Sequence, residues 1–376
     1  AGLEFTLTAG PDQFLEIAKL RAARRLWANV LRHCGVAPPE RRSAIHVRTS
    51  RRMVSALDPW VNLLRATSAA FAAAVAGADG ITVLPFDEPV LTPGEPPGPL
   101  GRRMARNTQL VLLEEASLHR VADPAGGSWY VEALTDQLAR AAWSEMQEIE
   151  RRGGIAAALR SGEITHRVSE ATGRRHDELA RRRRWMTGVN MFPLLGDDGL
   201  ERAGVASEAQ ALEAVPEALP EGEMLLAVRD GAEFEALRTR ALRIAAERGS
   251  EPTILLACLG PLAAHVNVAQ WARSFFEAGG VRTVPSGVQP DSAAQAALLD
   301  AHGLTVAVVC AAPQAESGVQ RELVEALRGG GARMVYAAGA DREAARAAGA
   351  DEGVRDGIDM VAALGQLLDR FEQGEL

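Results

Sequence analysis

The sequence predicts an α/β protein with two domains, each built on parallel strands, and two observations lead to this class. The first is length, because 376 residues exceed what one ordinary hydrophobic core accommodates. The second is pattern, because short β-prone segments alternate with longer amphipathic segments, which is typical of parallel sheets with crossover helices. Residues 194–222 are rich in Gly, Pro, Asp and Glu and are interpreted as a linker. The predicted domains are therefore 1–193 and 223–376.

The first domain contains three predicted strand–helix units. The strands are predicted at 3–8, 44–49 and 81–85, and the helices that follow them at 11–33, 58–77 and 98–119. A closed (β/α)8 barrel needs about eight strands, so three units form either an open sheet or one part of a barrel. We expect the C-terminal part of a TIM-type barrel, with the first five units outside the present sequence. Residues 130–185 are predicted to be trailing helices, interrupted at Gly153 and Gly154.

The second domain shows the same alternation. Strands are predicted at 253–259, 282–285, 305–310, 333–337 and 353–355. Helices are predicted at 232–248, 265–278, 291–302, 317–328, 341–348 and 358–373. Strands that alternate with helices in this way indicate a flavodoxin-like, doubly wound fold. In such a fold a ligand binds beyond the carboxyl ends of the strands, where the strand order reverses.

Composition excludes several classes of function. The chain has 41 basic and 49 acidic residues, and a net charge of −8 argues against a nucleic-acid-binding protein. Lys19 is the only lysine and does not follow a glycine, which excludes a P-loop. The cysteines Cys34, Cys258 and Cys310 lie far apart and form no C-x-x-C pair, so we expect reduced thiols in a cytoplasmic protein and no metal site. No apolar run is long enough to span a membrane, and no signal peptide is evident.

Several ordered motifs in the first domain resemble the methylmalonyl-CoA mutase family, over roughly residues 12–193. The matching stretches are Ile17-Ala-Lys-Leu-Arg-Ala-Ala-Arg24, Asp58-Pro-Trp-Val-Asn-Leu-Leu-Arg65, Gly77-Ala-Asp-Gly-Ile-Thr-Val-Leu-Pro-Phe-Asp87, Ala105-Arg-Asn-Thr-Gln109, Arg120-Val-Ala-Asp-Pro-Ala-Gly-Gly-Ser-Trp-Tyr-Val-Glu132 and Gly188-Val-Asn190. In that family they belong to the C-terminal part of the substrate barrel and the helical segment after it. The resemblance therefore implies the same fold for residues 1–193.

The second domain resembles the family's cobalamin-binding domain more weakly. Catalytic members carry an Asp-x-His-x-x-Gly loop after the first strand, in which the His ligates cobalt and the Asp orients it, with a Lys slightly earlier. With the helix through Phe275 and Phe276 aligned, Cys258 stands at the Lys position, Leu262 at the Asp, Ala264 at the His and Asn267 at the Gly. The resemblance thus implies a degenerate cobalamin-type domain without cofactor-binding residues.

Two histidines are weighed as remnants of the family's sites. His265 lies one residue from the ligand position, but an ordinary residue near a helix N-terminus is the simpler interpretation. Catalytic members carry a His-x-Gln pair in the strand that corresponds to residues 44–49 of this chain. Here His46 remains, and Arg48 stands in place of the Gln. His46 is either a remnant of the substrate pocket or an ordinary core or loop histidine. No catalytic residue is predicted.

The resemblance implies a non-catalytic small subunit of a heterodimeric methylmalonyl-CoA mutase. Its partner, the catalytic large subunit, would bind adenosylcobalamin and interconvert (R)-methylmalonyl-CoA and succinyl-CoA, while this chain would hold no cofactor and supply a stabilising interface. One alternative is a divergent catalytic mutase that binds cobalamin without a lower histidine ligand. Another is a binding module that holds a different ligand at the switch point of the α/β domain.

Overall fold

The chain divides into two units with separate hydrophobic cores. The computed structural model describes residues 3–88, 98–196, 228–289, 291–312 and 315–376. The first unit contains the described residues up to Gly173 together with 228–230, and the second contains 174–196 and the described residues from Gly231 onward. Residues 174–193, which the sequence places with the first domain, are thus grouped with the second unit, as are 194–196 of the predicted linker. Most of the predicted linker, from residue 197 to 222, lies outside the described residues.

The first unit is built on three parallel strands in the order β1-β2-β3. Its described strands and helices are β1 (Glu4–Ala9), α1 (Gln13–His33), β2 (Ala44–Thr49), α2 (Val61–Val75), β3 (Gly80–Thr82), α3 (Pro99–Leu110), α4 (Trp129–Arg151) and α5 (Ile155–Arg160). Helix α6 (Glu163–Ala180) begins in this unit, and its residues from 174 onward belong to the second. Ala-rich α2 and the apolar face of α1 pack with the strands around the buried side chains of Ile17, Leu20, Ile45 and Val47. The sheet is therefore parallel, as predicted.

The structure corrects three boundaries in the first unit. The third strand ends at Thr82, and the predicted helix 98–119 passes into a π-helical turn (Val111–Glu115) and stops at Ala116. It stops there because Ser117 takes a left-handed backbone conformation, with φ of 57°. The helical region after residue 130 breaks at Gly153 and Gly154, as predicted, but it also breaks at Gly162 and ends at Ala180.

The second unit is built on five parallel strands in the order β5-β4-β6-β7-β8. Its strands and helices are α7 (Ala232–Arg248), β4 (Thr253–Cys258), α8 (Leu262–Glu277), β5 (Arg282–Pro285), α9 (Ser292–Ala301), β6 (Val306–Cys310), α10 (Ser317–Gly329), β7 (Met334–Ala338), α11 (Arg342–Ala347), β8 (Glu352–Val354) and α12 (Met360–Gln373). Two apolar clusters cover the sheet; one includes side chains of α7, α8 and α12, the other side chains of α9, α10 and α11. The chain is therefore a mixed α/β protein with parallel sheets.

Aspartates set the starts of several helices in this unit. Asp291, Asp341 and Asp359 each accept a hydrogen bond from the backbone N–H three residues later, at 2.8–3.0 Å. Such caps satisfy donors that the first helical turn leaves unpaired. Helix α8 begins three residues earlier than the predicted 265, because Leu262, Ala263 and Ala264 are good helix formers that directly follow Pro261. Among the described helices, none has the length and apolarity needed to cross a membrane.

An ion-pair network joins α7 to α12 in the second unit. Arg240 donates from Nε and Nη2 to the two carboxylate oxygens of Glu372 at 2.6 and 2.7 Å, and Arg243 donates to the same carboxylate at 2.8 Å. The hydrogen bonds from Arg240, followed by those from Arg243, lower the pKa of Glu372 from 4.5 to about 2. The ionised carboxylate is thus favoured by the folded state.

We expect Glu372→Gln to destabilise the second unit near neutral pH but to have little effect in strong acid. Because the folded-state pKa lies below the unfolded value, the contribution is present above about pH 4.5 and is lost as the pH falls toward 2. The urea midpoints of the two proteins should therefore differ most near pH 7 and converge as the pH falls to about 2. Glu247→Gln, an exposed change on the same helix α7, is the control and should leave the pH profile unchanged. A constant difference at all pH values would contradict the prediction.

Candidate functional site

The carboxyl edge of the second sheet is where a ligand of this unit would bind. Strand β4 lies between β5 and β6, so the connections that leave β4 and β5 run in opposite directions across the sheet. In open parallel sheets a crevice forms beyond the strand ends at such a switch point. The last residues of β4 and β6, together with the loops after β4 and β5, therefore define the candidate site.

Polar groups around Cys258 hold the end of β4 in place. The Ser286 hydroxyl accepts a hydrogen bond from the Cys258 backbone N–H at 3.0 Å, and the Gln295 side-chain amide donates to the Cys258 carbonyl at 2.6 Å. Both side chains come from other elements, the loop after β5 and helix α9, and both are buried. The backbone polar groups of Cys258 are therefore satisfied by the protein itself.

Cys258 and Cys310 are register partners at this edge, and each thiol donates to the carbonyl two residues earlier in its own strand, at 3.5 and 3.7 Å. The neighbouring Cys310 thiol, with a smaller contribution from nearby His265, lowers the pKa of the Cys258 thiol below its ordinary value. The neighbouring Cys258 sulfur and burial raise the pKa of Cys310. The two shifts have opposite signs because negative charge on the Cys258 sulfur disfavours ionisation of the neighbouring Cys310.

The positions that resemble the family's cobalt-binding loop do not fit an imidazole-ligated cobalamin. Ala264 carries no ligating atom, and Leu262 exposes 60% of its surface at the start of α8. His265 is only 2% exposed, and its Nδ1 lies 3.2 Å from the carbonyl oxygen of Gly260 in the loop that precedes α8. Among the described residues, no group of three or more His, Cys, Asp or Glu side chains is arranged to hold a metal ion.

His46 lies on β2, packed against the neighbouring strand β3 of the first unit. Its Nε2 is 2.8 Å from the Thr82 hydroxyl, and it pairs in register with Gly80. A Cβ atom on Gly80 would lie 2.8 Å from His46 Nδ1, so the glycine makes room for the imidazole ring. Arg48 follows on the same face of β2 and is exposed. His46 is thus half-buried and hydrogen-bonded within the sheet.

Two buried asparagines in the family-like motifs act as backbone clamps, a role that the sequence did not reveal. Asn62 accepts from the Ser55 N–H at 3.0 Å and donates to the carbonyls of Ser55 and Phe86 at 2.8 and 2.9 Å. Asn190 likewise satisfies the Leu179 carbonyl in the last turn of α6 and two backbone groups of the loop that follows. The sequence shows an Asn within each quoted motif, but it does not show which backbone groups the side chain binds. These groups lie up to 24 residues away along the chain.

Comparison with known proteins identifies related chains. A profile of the methylmalonyl-CoA mutase family matches residues 1–231. The methylmalonyl-CoA mutase small subunit of Streptomyces virginiae is 45% identical over 371 residues, which cover 99% of this chain and 57% of that protein. The probable small subunit of Mycobacterium tuberculosis (strain ATCC 25618 / H37Rv) is 41% identical, covering 98% and 57%. The small subunit of Propionibacterium freudenreichii subsp. shermanii is 35% identical, covering 98% and 55%.

These matches extend through both units of the chain, which spans somewhat more than half the length of the curated relatives (55–57%). A solved cobalamin-binding protein from Desulfitobacterium hafniense overlaps 55% of this chain and 92% of its own, at 15% identity and a TM-score of 0.27. A likeness at that level carries no argument about fold or ligand. The family profile covers more than half of the chain and confirms the resemblance seen in the motifs. This chain belongs to the methylmalonyl-CoA mutase family.

Proposed function

We propose that this chain acts as the non-catalytic small subunit of a methylmalonyl-CoA mutase. Its catalytic large-subunit partner would bind adenosylcobalamin and interconvert (R)-methylmalonyl-CoA and succinyl-CoA. The observation that carries the proposal is the replacement of the cobalt-binding positions by Cys258, Leu262 and Ala264, within a sheet whose packing is intact. A fold retained for assembly needs its apolar core and its turns, but it does not need an imidazole for cobalt.

The geometry around the loop after β4 supports a role without cobalamin. An exposed Leu262 stands where an orienting carboxylate would be needed, and the only nearby imidazole among the described residues, His265, is buried. The chemistry of a bound adenosylcobalamin would be generation of the radical that starts the rearrangement, and we assign it to the partner. The role of this chain would be to supply a stabilising surface, with His46 kept as a packing residue of its first sheet.

The proposal also includes the fold of each predicted domain. We propose that 1–193 form the C-terminal part of a TIM-type barrel with trailing helices, that 194–222 are a linker, and that 223–376 form a flavodoxin-like, cobalamin-type domain. The three in-register parallel strands support the first assignment, since further strands are needed to close a barrel. In the second unit the strands, renumbered from its first, run 2-1-3-4-5, which is the flavodoxin-like order.

The proposal predicts that the whole chain, purified alone, binds no cobalamin. We expect it to lose the corrin on desalting after incubation with hydroxocobalamin, to show no visible corrin spectrum, and to produce no succinyl-CoA from (R)-methylmalonyl-CoA with adenosylcobalamin present. His265→Ala is the matched variant and should behave identically, because the buried ring faces its own loop. Far-ultraviolet circular dichroism checks that both proteins are folded.

Two results would contradict the proposal. Retention of the corrin with a histidine-ligated spectrum that disappears in His265→Ala would identify His265 as a ligand. Turnover by the chain alone would make it a divergent catalytic mutase. Mixing the chain with a methylmalonyl-CoA mutase large subunit from the same organism tests the partnership: we expect one heterodimer peak in size-exclusion chromatography, and two separate peaks at micromolar concentration would exclude a stable subunit role.

A further inference from the structure

The two buried cysteines of the second unit face each other across neighbouring strands. Cys258 is the last residue of β4 and Cys310 is the last residue of β6, and the two are register partners in the parallel sheet. Their side chains lie on the same face, in one cluster with Leu256 and Val308. Both are nearly inaccessible, at 3% and 0% exposure. They are 52 residues apart in sequence, so only the strand order brings them together.

The backbone separation of this pair suits a disulfide. Neighbouring strands lie about 4.8 Å apart in the hydrogen-bonding direction, which falls within the range of about 4.4–6.8 Å observed between disulfide-linked Cα atoms. Each cysteine ends its strand, so the backbone after it belongs to a loop and can adjust. A cysteine pair with this geometry packs as two thiols when reduced and needs no large movement to become linked.

The surroundings also divide the chemical roles between the two sulfurs. Cys258 keeps 3% of its surface exposed and Cys310 none, so a small oxidant reaches Cys258 first. The neighbouring Cys310 and His265 also lower the pKa of the Cys258 thiol, which favours its thiolate. Cys310 lies deeper and is held as the thiol. A thiolate is the form that attacks a peroxide, and a neighbouring thiol is what resolves the product. Cys258 is therefore the attacking sulfur and Cys310 the resolving sulfur.

We propose that Cys258 and Cys310 form a redox-active dithiol that a small hydroperoxide converts reversibly into a disulfide across β4 and β6. In the first step the Cys258 thiolate attacks hydrogen peroxide; an S–O bond forms, the O–O bond breaks, and hydroxide leaves. In the second step the Cys310 sulfur attacks Cys258; the S–S bond forms, the S–O bond breaks, and water leaves with the Cys310 proton. The dithiol loses two electrons, and the peroxide is reduced to water.

The test uses the whole chain carrying Cys34→Ser, which removes the exposed third cysteine and leaves only this pair. After treatment with hydrogen peroxide and unfolding in guanidinium, we expect reactive thiols to fall from two per chain to none. Dithiothreitol should restore both. Peptide mass spectrometry should find the segments that contain residues 258 and 310 linked within one chain. Two free thiols after a peroxide excess that fully oxidises a model dithiol peptide would overturn the proposal.

Single variants in the same background separate the two roles. With Cys310→Ser, we expect Cys258 to stop at the sulfenic acid and to be labelled by dimedone. With Cys258→Ser, we expect Cys310 to keep its thiol under the same exposure. Labelling of Cys310 rather than Cys258, a link between two chains, or over-oxidation of Cys258 in the two-cysteine protein without any link would each contradict the proposed pair. The Cys34→Ser experiment decides the question even if either single variant fails to fold.

Discussion

Replacing Phe276 by alanine should destabilise the second unit by about 3–5 kcal/mol, the range for removing a buried aromatic ring from a core. Phe276 lies on α8 and is 1% exposed. Its ring meets Phe275 edge-to-face at 5.1 Å and Tyr336 of β7 at 5.4 Å, so it fills the space between the helix and the sheet. Truncation therefore loses both the transfer free energy and the packing of two neighbouring rings.

Urea unfolding read by hydrogen exchange measures this effect in each unit separately. Peptides from β4 to β7 should lose protection at a much lower urea concentration in Phe276→Ala, while peptides from β1 and α1 should be unchanged. Phe192→Ala is the matched control, because this phenylalanine exposes 57% of its surface and its loss should change stability by less than about 0.5 kcal/mol. A loss below about 1 kcal/mol in Phe276→Ala would show that the ring contributes little to the core.

Replacing Asn190 by alanine should destabilise the second unit by about 3 kcal/mol, since each buried polar group left without a partner costs about 1–3 kcal/mol. The side chain is fully buried. Its Oδ1 accepts from the Met186 N–H at 2.7 Å, and its Nδ2 donates to the carbonyls of Leu179 and Arg184 at 2.8 and 2.9 Å. Alanine leaves all three backbone groups without this partner and releases the loop after α6.

Asn190→Asp tests the same contacts with a side chain of equal size. The carboxylate can still accept the hydrogen bond from the Met186 N–H, but its second oxygen would face the carbonyls of Leu179 and Arg184. We therefore expect a loss of stability similar to that in Asn190→Ala. Asn267→Ala, an exposed asparagine on α8, is the control and should leave the urea midpoint unchanged or slightly raised, because alanine favours helices. Equal midpoints for Asn190→Ala and Asn267→Ala would show that the loop does not depend on this clamp.

The elements of the second unit could be predicted from the sequence because each has a strong local signal. Strands β4 and β6 are continuous apolar runs, as expected for strands buried on both faces of a parallel sheet. The starts of α11 and α12 follow aspartates that cap the first turn. Local signals were weaker where the backbone departs from regular geometry. The left-handed conformation of Ser117, a residue without strong preference for it, ended a helix that composition alone extends to residue 119.

The sequence by itself determined the family, the α/β class and the absence of an imidazole at position 264, because motifs, periodicity and residue identity are local properties. The tertiary structure decided the rest. It placed β4 between β5 and β6, so that Cys258 lies beside Cys310, and it directed the ring of His265 toward the loop that precedes α8. It also gave Asn62 and Asn190 their partners. These outcomes depend on the order in which strands pair and on which buried polar groups need a partner, and both are set by contacts between residues distant in sequence.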